Sequence, residues 1–538
     1  MFVSELTNIM NQILKNEDAR KQIKIGIDAV CDPVLGTIGP RGGNVIIDGD
    51  HDEYEITNDG KTIADHIRLP DKFHNLGTKI GRKVSNKTND LSGDGRSTAL
   101  ALLKSLTTEG MKRLDVGISG NDLRNGIERA TADAVKILET ISIPADNKRI
   151  IQVATVSSES EDIGNIIAEA IEQVGKDGKV STEDSNGTGV ELKVVQGVEF
   201  DSGFISPYMI TDTDRMEAIH HDSPIVVTDR RITSFKELKP LLVKLADAKY
   251  TSLVLIAEDV DGEALAAIVM NRLQGGINVL AVKAPGFGDA KKDTLIDIAT
   301  MVGAKFLSKD SGGDLSTLVL EDMGAASRVL TTKETTLISG GKGTPESVAE
   351  RVSQMKIQKE SSTSNYTKEN LELRIANLSG GVAMIRVGAS TETEMKYLRK
   401  KIKDAVASAK AAVAEGVVPG GGIALMLVSK KLKEEMPTNL SLEQRLGYEI
   451  VINALMMPLK QIVKNSGQDD ASAVIVDINK REGNAGFDAR KNEVVDDIVE
   501  AGIVDAAKVT RLALEHAAGE ASMFLTTDLG ITLAPDKK

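Results

Sequence analysis

The chain has 538 residues, 41% of them apolar, with 66 Lys+Arg against 79 Asp+Glu and a net charge of −13. At ~100–200 residues per domain that length predicts about three domains with cores of their own, and the ordinary apolar content excludes an acidic disordered chain. One cysteine, Cys31, rules out an internal disulfide and a Cys/His zinc cluster; the acidic balance disfavours nucleic acid as a partner, and no apolar run approaches the ~20 residues of a membrane span.

Residues 1 to 139 read as mostly helical, with Ile23, Ile27, Val30 and Val34 on one apolar stripe. NVIID (44–48) and YEIT (54–57) interrupt them as a short extended pair joined by a turn-rich GDHDE. Between 196 and 382 the β-rich runs PIVVTD (224–229), SLVLIAED (252–259) and INVLAVKAP (277–285) each precede a helical stretch, an alternation that predicts an α/β domain around a buried sheet. The chain then turns helical again. In the stretch 391–416, Met395, Leu398, Ile402, Ala405, Ala409 and Val413 share one face, and Asp404 lies roughly opposite them. A helical part that leaves and returns around an inserted block is therefore expected, with Gly197 and Gly380-Gly381 as hinge glycines at the transitions.

Three glycine- and aspartate-rich loops stand out: LGTIGPRGG (35–43), TNDGKT (57–62) and SGDGRST (92–98). The last precedes an apolar helix, so backbone N–H groups and the positive end of the helix dipole would face an anion there, with Asp94 suited to Mg²⁺. The Gly-Lys-Thr of EITNDGKT is not a P-loop, because Glu55 stands where the first glycine is needed and no strand and helix are expected to flank it.

TIGPRGGNVIID, ITNDGKTIA, GDGRST, FISPYMI, AEDVDGEALA, VKAPGFGD, LSGGVAMIRVGASTETEM, AVAEGVVPGGGIAL and GIVDAAKVTR resemble, in order and spacing, the segments of the GroEL-type (group I) chaperonins from about residue 10 to 530. The resemblance implies an α+β multidomain fold: a helical equatorial ATP-binding domain (1–139 and 415–538), a small intermediate domain (140–195 and 383–414) and an inserted α/β apical domain (196–382) that holds non-native protein. It further implies that Thr37, Ile38 and Gly39 line the α-phosphate side and that Pro40, Asn58 and Val156 also belong to the nucleotide site. Asp94, Gly95, Arg96, Ser97 and Thr98 would cradle the β- and γ-phosphates, with Mg²⁺ on Asp94. Gly420, Gly421 and Gly422 would meet the ribose, and Asp488, Ala489, Arg490, Ile503 and Asp505 would surround the base and ribose. Asp404 resembles the residue that activates the attacking water, with Asp59 as its helper.

Several positions depart from that pattern. Arg96 and Ser97 replace threonines, and Arg96 either stabilises γ-phosphate charge or points to solvent. Asn58 replaces a lysine, Asp488 and Arg490 replace Asn and Ala, and Pro33 bends the helix before the phosphate loop. The client surface implied by the resemblance is Phe204, Tyr208, Met209, Leu242, Leu265, Val269 and Met270, with Lys239 in place of an apolar groove residue; periodicity alone would make such stripes core. The implied partners are non-native proteins, a homo-oligomeric ring of seven subunits and a co-chaperonin lid, with ATP, Mg²⁺ and K⁺ as ligands. The acid-bearing N-terminus is unlike a targeting peptide, so a cytoplasmic ATPase is expected. The ending TTDLGITLAPDKK has no Gly-Met repeat tail. A nucleotide-binding scaffold or holdase without folding cycles is the alternative reading.

Overall fold

The computed structural model describes residues 11–48, 54–175, 178–185, 187–286, 289–312, 314–362, 364–468, 470–481 and 483–533. The chain divides into two compact units. One combines both chain ends, Met1–Ala168 and Lys396–Lys538; the other is the continuous middle, Glu169–Met395.

In the end-derived unit the helices Asn16–Leu35, Lys72–Ser92, Arg96–Asp115, Gly120–Ile141, Leu442–Ala454 and Ala507–Leu525 surround a core that includes Ile27, Leu103, Ile127, Tyr448, Leu514 and Phe524. The predicted stripe Ile23, Ile27, Val30 and Val34 is the buried face of its helix, and Pro33 lies in that helix's last turn. Helices Asn16–Leu35 and Lys72–Ser92 cross backbone to backbone: a Cβ at Gly26 would sit 1.7 Å from the His74 carbonyl oxygen, so only glycine permits the crossing. The two ends of the described chain meet as antiparallel strands, Asn11–Lys15 with Leu529–Leu533, Ile13 facing Ile531. Strands Val45–Asp48 and Tyr54–Thr57 form the expected extended pair; their connection, GDHDE (49–53), lies outside the described residues.

A helix, Gly60–His66, follows Tyr54–Thr57. Strand and helix therefore do flank TNDGKT, contrary to expectation. The connection is only Asn58 and Asp59, and the Asp59 carboxylate caps the helix by accepting from the Thr62 N–H at 2.6 Å. With its N-terminus capped by a carboxylate and no glycine in the turn, this segment cannot wrap a phosphate as a P-loop does.

The middle unit is built on one mixed sheet of nine strands. Its order runs Asn278–Lys283, Ser252–Ala257, Pro224–Val227, Gly324–Thr331, Thr336–Gly341, Gly189–Phe200, Gly381–Gly388, Lys179–Asp184, with Ala218–His221 also paired to Gly324–Thr331. The first three are parallel and are joined through the helices Phe235–Asp247 and Gly262–Leu273, as the alternation predicted. Strand Gly189–Phe200 runs unbroken past residue 196, and Gly197 pairs with Ser339 inside it. A Cβ there would lie 2.5 Å from the Ile338 carbonyl oxygen and from Val382 Cγ2. Gly197 is thus a close-packing glycine in a sheet, and Gly381 likewise begins a paired strand. Among the described residues no helix is long and apolar enough to cross a membrane.

Candidate functional site

The site lies in the end-derived unit and begins with the turn Gly93-Asp94-Gly95. Gly93 and Gly95 both have positive φ, 76° and 87°, and Gly95 forms the N-cap of helix Arg96–Asp115 without any side-chain cap. The first N–H groups of a 20-residue helix therefore have no side-chain cap, and an anion can take them. Asp94 Oδ1 accepts from the Gly95 N–H at 2.6 Å, which fixes its carboxylate at that end. Three segments pack on the turn. A Cβ at Gly60 would lie 3.5 Å from Ser97 Oγ, one at Gly93 would lie 2.1 Å from Ala407 Cβ, and one at Gly95 2.7 Å from Val509 Cγ1.

Packing against Gly93 brings helix Glu392–Glu415 close, and with it Asp404. The carboxylate opposite that helix's apolar stripe does not face solvent: Arg96 Nη2 donates to its Oδ2 at 2.7 Å. Arg96 Nη1 lies 3.0 Å from Asp59 Oδ1, and Lys400 donates to Asp59 Oδ2 and, at 2.7 Å, to Thr62 Oγ1. Arg96 thus does not point to solvent, one of the two placements expected of it; buried at the start of the phosphate-loop helix, it bridges the two carboxylates. Burial pushes Asp59 up, but Arg96 and Lys400 beside it outweigh that and hold it at about 2. For Asp404, burial together with the charges of Asp94 and Asp59 wins over Arg96, and its pKa is raised. Burial and Asp94 also raise Asp505 to about 7, against a hydrogen bond from the Gly421 N–H. Carboxylates crowd this end of the helix, so the site is short of positive charge.

The remaining predicted residues fall into two further groups. Thr37, Ile38, Gly39 and Pro40 form a turn anchored by Thr37 Oγ1 to the Val34 carbonyl at 2.8 Å, and Asn465 Nδ2 donates to the carbonyls of Leu35 and Ile38 at 2.8 and 3.0 Å. Arg41 donates to the Arg490 carbonyl at 2.9 Å, which joins this turn to the Asp488-Ala489-Arg490 turn; there Asp488 Oδ1 accepts from the N–H groups of Arg490 and Lys491. Gly420, Gly421 and Gly422 form the second group with Ile503 and Asp505. Gly420 N–H donates to the Ile503 carbonyl, and Gly421 and Gly422, with φ of 64° and 82°, open another helix, Ile423–Glu434, that has no side-chain cap. Val156 is exposed on helix Asn147–Ser158, and Asn58 is half-buried in its turn. Lys400, Asn465 and Arg41 were not foreseen; each meets a partner that is distant in sequence.

Residues 31–533 match the family model of the TCP-1/cpn60 chaperonin family. The chain belongs to that family. Two crystal forms of the chaperonin gp146 of bacteriophage EL 2 (Pseudomonas aeruginosa), both in the presence of ATP-BeFx, share the fold: one at TM-score 0.69 and 20% identity, the other at TM-score 0.65 and 21% identity. Each match covers 98% of this chaperonin chain and 99% of the phage chain.

In the middle unit of this chaperonin the implied client residues separate. Tyr208 is 68% and Met270 52% exposed, Lys239 is exposed, and Phe204, Leu265 and Val269 are half-buried. Met209 and Leu242 are core. Met209 packs under the strand Asn278–Lys283, its Sδ accepting from the Ala281 N–H at 3.3 Å. Leu242 joins Leu238, Leu241 and Leu245 on the inner face of its helix. The exposed apolar residues here also include Val243 and Leu273, which the sequence reading left out. Arg272 fixes the segment by donating to the carbonyls of Tyr208 and Ile210 at 2.5 and 2.6 Å.

Proposed function

We propose that this chaperonin is of the group I, GroEL-type kind and uses ATP binding and hydrolysis to drive capture and release of non-native proteins. The observation that carries the reading is the meeting of Asp404 with the first residue of the uncapped phosphate-loop helix, 308 positions away in sequence. Phosphates of ATP sit on the N–H groups that follow Gly95, the turn at Thr37–Pro40 lines the α-phosphate, and the groups at Gly420–Gly422, Asp488–Arg490, Ile503 and Asp505 hold ribose and base. Asp404 orients the attacking water and takes its proton; the raised pKa of its carboxyl suits a proton acceptor better than an ordinary surface aspartate. Asp59, held ionised, keeps Lys400 and Arg96 in place around it.

Magnesium fits this donor set. Mg²⁺ is commonly held by one or two carboxylates plus substrate phosphates, and Asp94 is a fixed carboxylate whose charge already weighs on Asp404 and Asp505. When bound there, the ion supplies positive charge to the phosphates. Potassium fits less well, because the carboxylates at 59 and 404 already have Arg96 and Lys400 as counter-cations.

Two small sheets of the end-derived unit support assembly from identical subunits. Ile13, Leu529 and Ile531 on one, and Ile46, Tyr54 and Ile56 on the other, expose apolar side chains on two-stranded ribbons with open edges, which a second copy would cover. Seven copies per ring, a separate lid, the division into equatorial, intermediate and apical domains and a cytoplasmic location complete the proposal. Tyr208, Val243, Met270 and Leu273, with Lys239 among them, are the surface offered to clients. The test is a refolding assay with a denatured client: ATP-dependent release of folded client supports the reading, whereas a client that stays bound through ATP turnover makes the protein a holdase. Electron microscopy of the purified protein that showed no rings with or without ATP would overturn the assembly.

A further inference from the structure

Arg96 begins the helix of the phosphate cradle, and only 6% of it is exposed. A guanidinium offers five N–H donors and keeps its charge at any working pH. One donor goes from Nη2 to Asp404. Nη1 is close enough to Asp59 for ion pairing at 3.0 Å but is not aligned to donate, and it is buried with no hydrogen-bond acceptor among the described residues. Arg96 is not the sole partner of Asp59, since the N–H and hydroxyl of Thr62 and the ammonium of Lys400 all donate to Asp59 Oδ2. A buried, charged donor that is ion-paired but makes no hydrogen bond is an arrangement that an anion at the adjoining helix N-terminus would complete.

We infer that Arg96 is a catalytic residue of ATP hydrolysis, donating from Nη1 to an oxygen of the transferring γ-phosphoryl group while Nη2 keeps the Asp404 carboxylate beside it. The inference rests on the reading of Asp404 as proton acceptor. In the reaction the water oxygen bonds to the γ-phosphorus, and the bond from that phosphorus to the β–γ bridging oxygen breaks with its electron pair leaving on ADP. The water's proton passes to Asp404, and Arg96 neither gains nor loses one. Its part is to meet the charge spread over the equatorial oxygens, as arginines supplied to other nucleotide hydrolases do. An arginine in this loop therefore adds a cation where threonine would add only a hydroxyl.

The full-length protein carrying Arg96→Gln, Arg96→Lys or Arg96→Gly tests this by steady-state ATPase rates and ATP-binding titrations. Arg96→Gln should lower kcat by at least ~10²-fold with ATP affinity changed only severalfold, the pattern of an interaction made in the transition state. Arg96→Lys should recover part of the loss, and Arg96→Gly should regain activity on adding guanidinium at millimolar, non-denaturing concentration but not on adding ammonium. A kcat for Arg96→Gln within about threefold of the unsubstituted protein would overturn the inference. So would an inactive Arg96→Gly that binds ATP yet is not rescued by guanidinium. If Arg96→Gln fails to fold, the guanidinium rescue of Arg96→Gly decides alone. The underlying reading fails separately: full activity in Asp404→Ala removes Asp404 from the mechanism, whereas an inactive Asp404→Ala beside an active Arg96→Gln overturns only the role given to Arg96.

Discussion

In the end-derived unit, Asp59, Arg96, Lys400 and Asp404 each have a charged partner fixed by geometry, and Lys400 reaches Asp59 across 341 positions of sequence. In the middle unit, Tyr208, Val243, Met270 and Leu273 are exposed on one turn and two consecutive helices. Buried charges tolerate one arrangement, because moving any member leaves another uncompensated. Apolar contact is non-directional and tolerates many. Under the proposed function the first region would take a ligand of one shape and the second partners of many shapes.

Asp404→Ala should strain that comparison most. Removing a proton acceptor is expected to slow hydrolysis by at least ~10²-fold while ATP still binds, measured by single-turnover hydrolysis beside a binding titration. Unchanged hydrolysis would mean that the charge network is architecture only.

Two methionines sharpen the contrast from the other side. Met209 is 1% exposed and Met270 52%, although both were assigned to the client surface. Met209→Ala should cost ~2–5 kcal/mol of stability in chemical denaturation, the range for emptying a core site. Met270→Ala should change stability by less than ~0.5 kcal/mol and instead weaken capture of a denatured client severalfold. Equal stability losses would erase the distinction between core and capture surface.

A third pair concerns the cradle itself. Gly95→Ala forces a Cβ into a left-handed position 2.7 Å from Val509 Cγ1, whereas Gly117, at φ 90°, has nothing within 4 Å of such a Cβ. Each substitution carries a backbone cost of ~1–2 kcal/mol, and Gly95→Ala should add a clash and a loss of ATP affinity that Gly117→Ala does not show. Matching denaturation curves and matching ATP titrations would remove the turn from the site.

What was legible in the sequence follows the same boundary between local and distant. The three strands and their following helices in the middle unit were readable because periodicity and turn residues act over a few positions; Asp404 reads as opposite its helix's apolar stripe, yet Ser408 and Ala411 beside it on that side are buried as well. What covers that face was not readable: Gly93 and Arg96 lie some three hundred positions away, and nothing local says that a guanidinium will bridge two carboxylates. Asn465 and Arg41 were missed for the same reason. Leu242 is different. Leu238, Leu241, Leu242 and Leu245 form one i, i+3, i+4, i+7 stripe, so its burial was written in the pattern and was outweighed by the family resemblance. Met209, in the three-residue turn Pro207–Met209, has no periodicity to read.

A pH dependence separates two carboxylates of the charged region itself. Asp505 is raised to about 7 in the folded protein, so between the ordinary carboxylate range and pH 7 the folded chain binds a proton that the unfolded chain has lost. Stability from that group is full at low pH and disappears as pH rises through 7. Asp59 is held at about 2, so its contribution is present above the ordinary carboxylate range and is lost only as pH falls toward 2. Asp505→Asn removes the first dependence without leaving a charge. Relative to the unsubstituted protein, its melting temperature should gain several degrees on going from pH 5 to pH 8, because the two pH units below about 7 are worth about 2.7 kcal/mol. Asp59→Asn should lower the melting temperature by a similar amount at both pH values, because its window lies below them. Parallel melting curves for Asp505→Asn and the unsubstituted protein across that range would show that Asp505 is already ionised at pH 5, and that Asp94 does not press on it from across the cradle.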